Sequence, residues 1–77
     1  MPRLTPVSWQ TLEKVFTRAG FKYVRTKGDH MSFEKEGCLR PVVIPKYKEI
    51  GVDIIKSNMR NAKMSREDYF KYLNSGK

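Results

Sequence analysis

Apolar side chains in this chain first recur at helical spacing. Trp9, Leu12, Val15, Phe16 and Ala19 share one face of a predicted helix over 9–19, while Glu13, Lys14, Thr17 and Arg18 fall elsewhere on the wheel. Ser8 stands where an N-cap hydroxyl receives an orphan amide, and Gly20 stands where the chain leaves the helix in the left-handed conformation. Phe21 to Lys27, rich in aromatic and β-branched residues, predicts a strand. Gly28-Asp29 fits a two-residue type II′ turn, and His30 to Lys35 is the returning strand. Glu36-Gly37 turns the chain again, and Leu39 to Ile44 predicts a third strand, closed by Pro45. Pro41 has no N–H, so that strand is an edge or begins only after it. Lys46 to Gly51 reads as a polar loop. Val52, Ile55, Met59 and Ala62 mark one face of a second helix from Val52 to about Ala62, with Asp53 at the positive end of its dipole. A short last helix follows Ser65, which stands at capping-box spacing from Asp68, with Met64 placed to staple against Tyr69 and with Phe70 and Leu73 on its buried side.

The order α-β-β-β-α plus a short extra C-terminal helix predicts a two-layer α+β fold, a three-stranded antiparallel sheet with helices on one face. Counting outward from the two-residue turn sets Lys27 opposite His30, Thr26 opposite Met31, Arg25 opposite Ser32 and Val24 opposite Phe33. One face then carries Val24, Thr26, Met31 and Phe33 toward the helices. The other carries Tyr23, Arg25, Lys27, His30, Ser32 and Glu34 toward solvent. A slip by one residue would bury Arg25 and His30 and expose Val24 and Phe33, which the core would not tolerate.

With 77 residues, of which 39% are hydrophobic, the chain is expected to form one domain over 1–77 with a small core. That length excludes enzymes needing a large pocket, a nucleotide-binding βαβ unit or a haem cavity. The longest apolar run, Val42-Val43-Ile44, is far too short for a membrane span, and Met1-Pro2-Arg3-Leu4 lacks the apolar stretch of a signal peptide. Cys38 has no second cysteine to pair with, so a reducing, cytoplasmic setting fits. Charge changes the picture most: 16 Lys and Arg stand against 8 Asp and Glu, a net +8. Such a field draws polyanions, nucleic acid first among them. The alternatives are a charge that serves only solubility, or an acidic protein partner.

His30 is the only histidine, placed by the register on the open face beside Lys27 and Arg25. An ordinary imidazole titrates near about 6.5, so it both gives and takes protons at neutral pH. Phosphodiester cleavage in RNA uses that property: the 2′-hydroxyl loses a proton as it attacks phosphorus, and the departing 5′-oxygen gains one. The bland reading is an exposed or phosphate-binding histidine. Asp29 either orients the imidazole or is an ordinary turn aspartate. Lys46, Tyr47 and Lys48 either grip phosphate and stack on a base or form a solvated loop. Lys56, Arg60 and Lys63, at i, i+4 and i+7, suit a phosphate backbone, an acidic partner or plain solvation. Cys38 has no thiol or histidine at ligand spacing, so neither zinc nor thiol catalysis is expected and no cofactor is called for. Met31, Met59 and Met64 read as core filler.

The ordered set Ala19-Gly20-Phe21, Lys27-Gly28-Asp29-His30, Val43-Ile44-Pro45 and Met64-Ser65-Arg66-Glu67-Asp68-Tyr69 resembles the HicA family of HicA–HicB toxin–antitoxin pairs, over nearly the whole chain. The resemblance implies a double-stranded-RNA-binding-domain-like fold and ribosome-independent cleavage of mRNA. It makes His30, of a Gly-x-His motif, the catalytic residue. Arg25, Lys27, Gly28, Lys46, Lys48, Lys56 and Arg60 are then the candidate RNA contacts. It further implies a HicB-like antitoxin that covers His30. Two positions depart from the family pattern: Asp29 replaces the usual serine, and Tyr47 stands where many members have a further histidine. Asp29 either tunes His30 or repels an approaching phosphate, and with no second imidazole, one histidine, lysines and water imply a slow nuclease. The rival readings are a non-catalytic RNA-binding module and a degenerate toxin that only binds its antitoxin.

Overall fold

The first and third helices begin at serines whose side chains take up orphan amides, and the first two end in closures that take up orphan carbonyls. In the computed structural model, which describes residues 3–75, α1 spans Trp9–Arg18, α2 spans Val52–Asn61 and α3 spans Arg66–Asn74. Met1, Pro2, Gly76 and Lys77, which belong to the expected 1–77 unit, lie outside the described residues. Ser8 Oγ accepts the Thr11 amide at 3.3 Å to start α1, and Ser65 Oγ accepts the Asp68 amide at 3.1 Å to start α3. Past α1, the Phe21 amide donates to the Phe16 carbonyl (3.0 Å) and the Gly20 amide to that of Thr17 (3.1 Å), with Gly20 at φ +102. This is the paired closure of a Schellman motif, and the Phe16 and Phe21 rings meet edge to face at 5.6 Å across it. The second helix closes the same way, Met64 to Met59 (2.8 Å) and Lys63 to Arg60 (3.1 Å). There the left-handed residue is Lys63, at φ +54, rather than a glycine. Lys63 therefore sits past the helix end, outside the expected basic stripe.

The sheet runs β1 (Lys22–Lys27), β2 (His30–Glu34) and β3 (Val42–Pro45), antiparallel and in that spatial order, so β2 is central. Gly28 has φ +62 while Asp29 stays out of the left-handed region, as a type II′ turn requires. Lys27, Thr26 and Arg25 face His30, Met31 and Ser32 as the counting predicts. Beyond them the register shifts. Val24 is skipped by a bulge, Tyr23 faces Phe33 and Lys22 faces Glu34, which corrects the expected Val24–Phe33 pair; Tyr23 shares the Phe33 face yet stays 55% exposed, and Thr26, expected toward the helices, is exposed as well. The bulge lets the larger ring cover Phe33 (centroids 5.8 Å) while the Tyr23 hydroxyl meets Thr26 Oγ1 at 2.6 Å. Val24 is left 44% exposed.

Two more boundaries move. The third strand begins at Val42, not Leu39, and includes Pro45; the ladder with β2 starts at Phe33–Val42, beyond the proline that lacks a donor, and Leu39 is 97% exposed. The loop expected to be polar ends in the core. Ile50 is fully buried and exchanges two backbone hydrogen bonds with Val7 (2.7 and 3.3 Å).

Helices α1 and α2 pack on β3, over the face that carries Met31, Phe33, Val42 and Ile44. Leu12, Val15 and Phe16 of α1 reach that core with no residual exposure, each contributing about 1.5–3 kcal/mol. The third helix leans on α1, where the Arg18 guanidinium donates to the Tyr72 carbonyl at 2.6 Å and Tyr69 enters the shared core. Met31 and Met59 are buried filler and Met64 packs at the core margin. The architecture is a small α+β fold, an open three-stranded antiparallel sheet with three helices. No helix among the described residues is long and apolar enough to cross a membrane.

Candidate functional site

His30 opens β2 directly after the II′ turn, where alternation sends its side chain to the face away from the core. The imidazole is 52% exposed. Directly opposed residues share a face, so Lys27 on one side and Pro45 on the other flank it. One pair further along, Arg25, Ser32 and Val43 stand on the same surface. Arg25 and Lys27 are exposed, and no carboxylate lies across from either. Lys22, farther along β1, is opposite Glu34.

The loop after β3 is tied to this turn by backbone bonds. The Lys46 amide donates to the Asp29 carbonyl at 2.7 Å, the Tyr47 amide to that of Pro45 at 2.8 Å, and the Tyr47 carbonyl accepts the Trp9 amide at 3.2 Å. The Tyr47 ring thereby comes to 6.5 Å from the imidazole, edge to face at 74°. Lys46 extends over the Trp9 indole, its Nζ 5.6 Å from the ring centroid, a cation–π contact that limits where the ammonium can go. Trp9 is the contributor that sequence reasoning missed as part of this site. It was read only as one residue of an apolar stripe, and its meeting with Lys46 is a long-range contact with no local signal.

Asp29 Oδ1 stands 3.8 Å from His30 Nδ1, beyond hydrogen-bond reach and with both groups well exposed. It acts on the ring as a screened charge and not as an orienting acceptor, while its carbonyl holds Lys46. Gly28 supplies the left-handed φ that lets the turn close in two residues, and nothing stands within 4 Å of where its Cβ would be. Lys48 is exposed in the same loop.

Lys56 and Arg60 are elsewhere. With Arg66 they rim a groove of about 330 Å³ floored by Leu4, Met59 and Met64, which shares no residue with the hairpin or its partner loop. A second surface cavity, about 410 Å³, lies at the other end of the hairpin from His30, among Lys22, Val24, Glu34, Cys38 and Leu39. Arg25, Lys27, Asp29, His30, Tyr47 and Lys48 are themselves all exposed. Among the described residues no group of three or more His, Cys, Asp or Glu comes together.

A half-exposed imidazole beside cations and an aromatic ring suits contact with a long anionic chain. Comparison with known families gives a match over the elements that build this surface. Residues 9–64, from the start of α1 to just past α2, match the family described as HicA toxin of bacterial toxin-antitoxin. No curated protein matches the chain. The matched span covers both helices of the core, the whole sheet and the His30 turn, and the chain belongs to the HicA toxin family of toxin–antitoxin systems.

Proposed function

We propose that this toxin is an endoribonuclease that cleaves mRNA, with His30 as the general acid or base. The observation that carries the reading is the half-exposed imidazole at the head of β2, with Lys27 beside it and Arg25 next along. An RNA strand laid along that face presents its 2′-hydroxyl to the ring. The hydroxyl oxygen attacks the adjacent phosphorus as its proton leaves, the bond to the 5′-oxygen breaks, and that oxygen is protonated as it departs. Negative charge gathers on the non-bridging oxygens in between, and the Lys27 and Arg25 side chains are placed to offset it. Lys46 and Lys48 hold the strand at the near end, and no metal is required for any step. With one imidazole, the second proton transfer falls to water or a lysine, which makes a slow enzyme.

Membership of the family brings a cognate antitoxin. We assign it, as a HicB-like partner, to the face that exposes His30, because covering that face both hides the imidazole and neutralises the cations. The site of action is the cytoplasm, where the message is.

His30→Ala tests the reading. Purified variant and parent are incubated with a defined transcript, and new ends are mapped. Loss of cleavage with an unchanged circular dichroism spectrum and melting curve is the expected result. A folded, active His30→Ala protein removes His30 from the chemistry, and a gel shift without new ends from the parent protein makes it a binder alone.

A further inference from the structure

Tyr47 is large, aromatic and 43% exposed, yet it is not loosely held. Its amide is fixed to the Pro45 carbonyl and its carbonyl to the Trp9 amide, and the preceding residue is fixed to Asp29 in the hairpin turn. Three segments of the chain therefore set where the backbone that carries this ring stands. The ring is 6.5 Å from the only imidazole, at 74° to it. In either sense of an edge-to-face contact, at least one face of the tyrosine stays clear of His30. Lysines precede and follow it, and the ammonium of Lys46 is drawn aside over Trp9 and does not lie on the Tyr47 ring.

A tyrosine held by its backbone, open on one face and bracketed by cations, has the properties of a base-stacking platform. We propose that Tyr47 stacks on a nucleobase adjacent to the scissile phosphate, which makes the substrate single-stranded RNA with an unstacked base at that point. A duplex keeps both faces of each internal base occupied by neighbours and offers the ring nothing. Stacking accepts any base, so the platform sets position and strandedness, while sequence preference is weak. The inference rests on the RNA reading of His30 and deepens it.

The test uses the full chain carrying His30→Ala, which holds RNA uncut, and a short single-stranded oligoribonucleotide with one 2-aminopurine, whose fluorescence is quenched on stacking. Tyr47→Phe keeps the ring and Tyr47→Leu removes it; the position is on the surface, and melting curves confirm that each variant folds. The expected result is quenching and unchanged affinity with Phe, and loss of quenching with roughly 5- to 150-fold weaker binding with Leu. The matching duplex shows no quenching with any variant. In the protein that retains His30, Tyr47→Leu raises KM.

If Tyr47→Leu binds and quenches like its parent, the stacking role is wrong while the RNA reading stands. If Tyr47→Phe loses quenching and affinity as Leu does, the hydroxyl and not the ring makes the contact, and the stacking role is likewise wrong. If no variant binds the oligonucleotide at all, the RNA reading falls and takes this inference with it.

Discussion

If the chain binds RNA as proposed, the number of cations in contact with it is readable from the salt dependence of binding, and the placement of the basic residues gives an expected value. Arg25 and Lys27 stand on the open face without a facing carboxylate, and Lys46 and Lys48 belong to the loop bonded to the same turn. Lys22 is set across from Glu34, and Lys56 and Arg60 rim a groove that shares nothing with the hairpin. Four phosphate contacts are therefore expected. Each neutralised phosphate on a single strand contributes about −0.7 to the slope of log K against log salt, so the slope should be about −2.8. Raising salt from 50 to 200 mM should then weaken binding about 50-fold. Engagement of Lys56 and Arg60 as well would steepen the slope to about −4.2 and the loss to roughly 300-fold. Fluorescence anisotropy of a labelled oligoribonucleotide against the His30→Ala protein measures the slope directly. Lys27→Gln should flatten it by about 0.7, and Lys56→Gln should leave it unchanged. A slope near −4 that Lys56→Gln flattens would refute the separation of the two basic surfaces, and a flat dependence would refute phosphate contact altogether.

Two predictions concern the frame that carries the site. Tyr69 is 1% exposed and its hydroxyl has no hydrogen-bond partner among the described residues, so Tyr69→Phe should stabilise the fold by about 1 kcal/mol, or roughly 4–8 °C in Tm. Burial also pushes the Tyr69 hydroxyl above the ordinary phenol range. The unfolded chain then loses that proton first, and stability falls as pH rises from about 10 through the folded value; the Tyr69→Phe variant should lack this part of the alkaline loss, and a less stable variant would reveal a hidden partner. Lys63 holds a left-handed conformation past α2 that costs a side chain about 1–2 kcal/mol, so Lys63→Gly should gain about 0.5–1 kcal/mol in urea melts once glycine's own entropy cost is deducted. No gain would mean that the closure of α2 is strained by something other than this residue.

Caps, turn and central strand were legible because local chemistry decides them. Ser8, Gly20, Gly28 and Ser65 each do what their residue type prescribes, and His30 comes out on the open face by parity from a two-residue turn. The bulge at Val24 was not legible, since alternation alone prefers Val24 over Phe33; the preference reverses only when the Tyr23 ring and its bond to Thr26 are counted. Ile50 was hidden in a polar run because its partner, Val7, is distant in sequence. Asn58 is a third case. It lies outside the apolar stripe of Val52, Ile55, Met59 and Ala62, and only the fold shows that it is buried and that its side-chain amide donates to the Val43 carbonyl at 3.0 Å, so occupying an acceptor on the β3 edge.

The same contacts that complete the fold also fix the distance between imidazole and tyrosine. Trp9 begins the first helix, and its amide holds Tyr47; Asp29 closes the hairpin, and its carbonyl holds Lys46. A backbone bond from each element limits the loop without using any of the side chains that face solvent, so the chemistry-bearing groups stay free to meet a ligand. Asp29 shows the cost of that arrangement. With its carbonyl committed to the loop and its carboxylate 3.8 Å from the ring, it neither locks the imidazole by a hydrogen bond nor leaves it without a negative neighbour. Under the proposed function, an RNA phosphate approaching His30 meets one opposing charge among several favourable ones. The surplus of cations on this face would then make the approach favourable, and it is also what an acidic cover would need to bind.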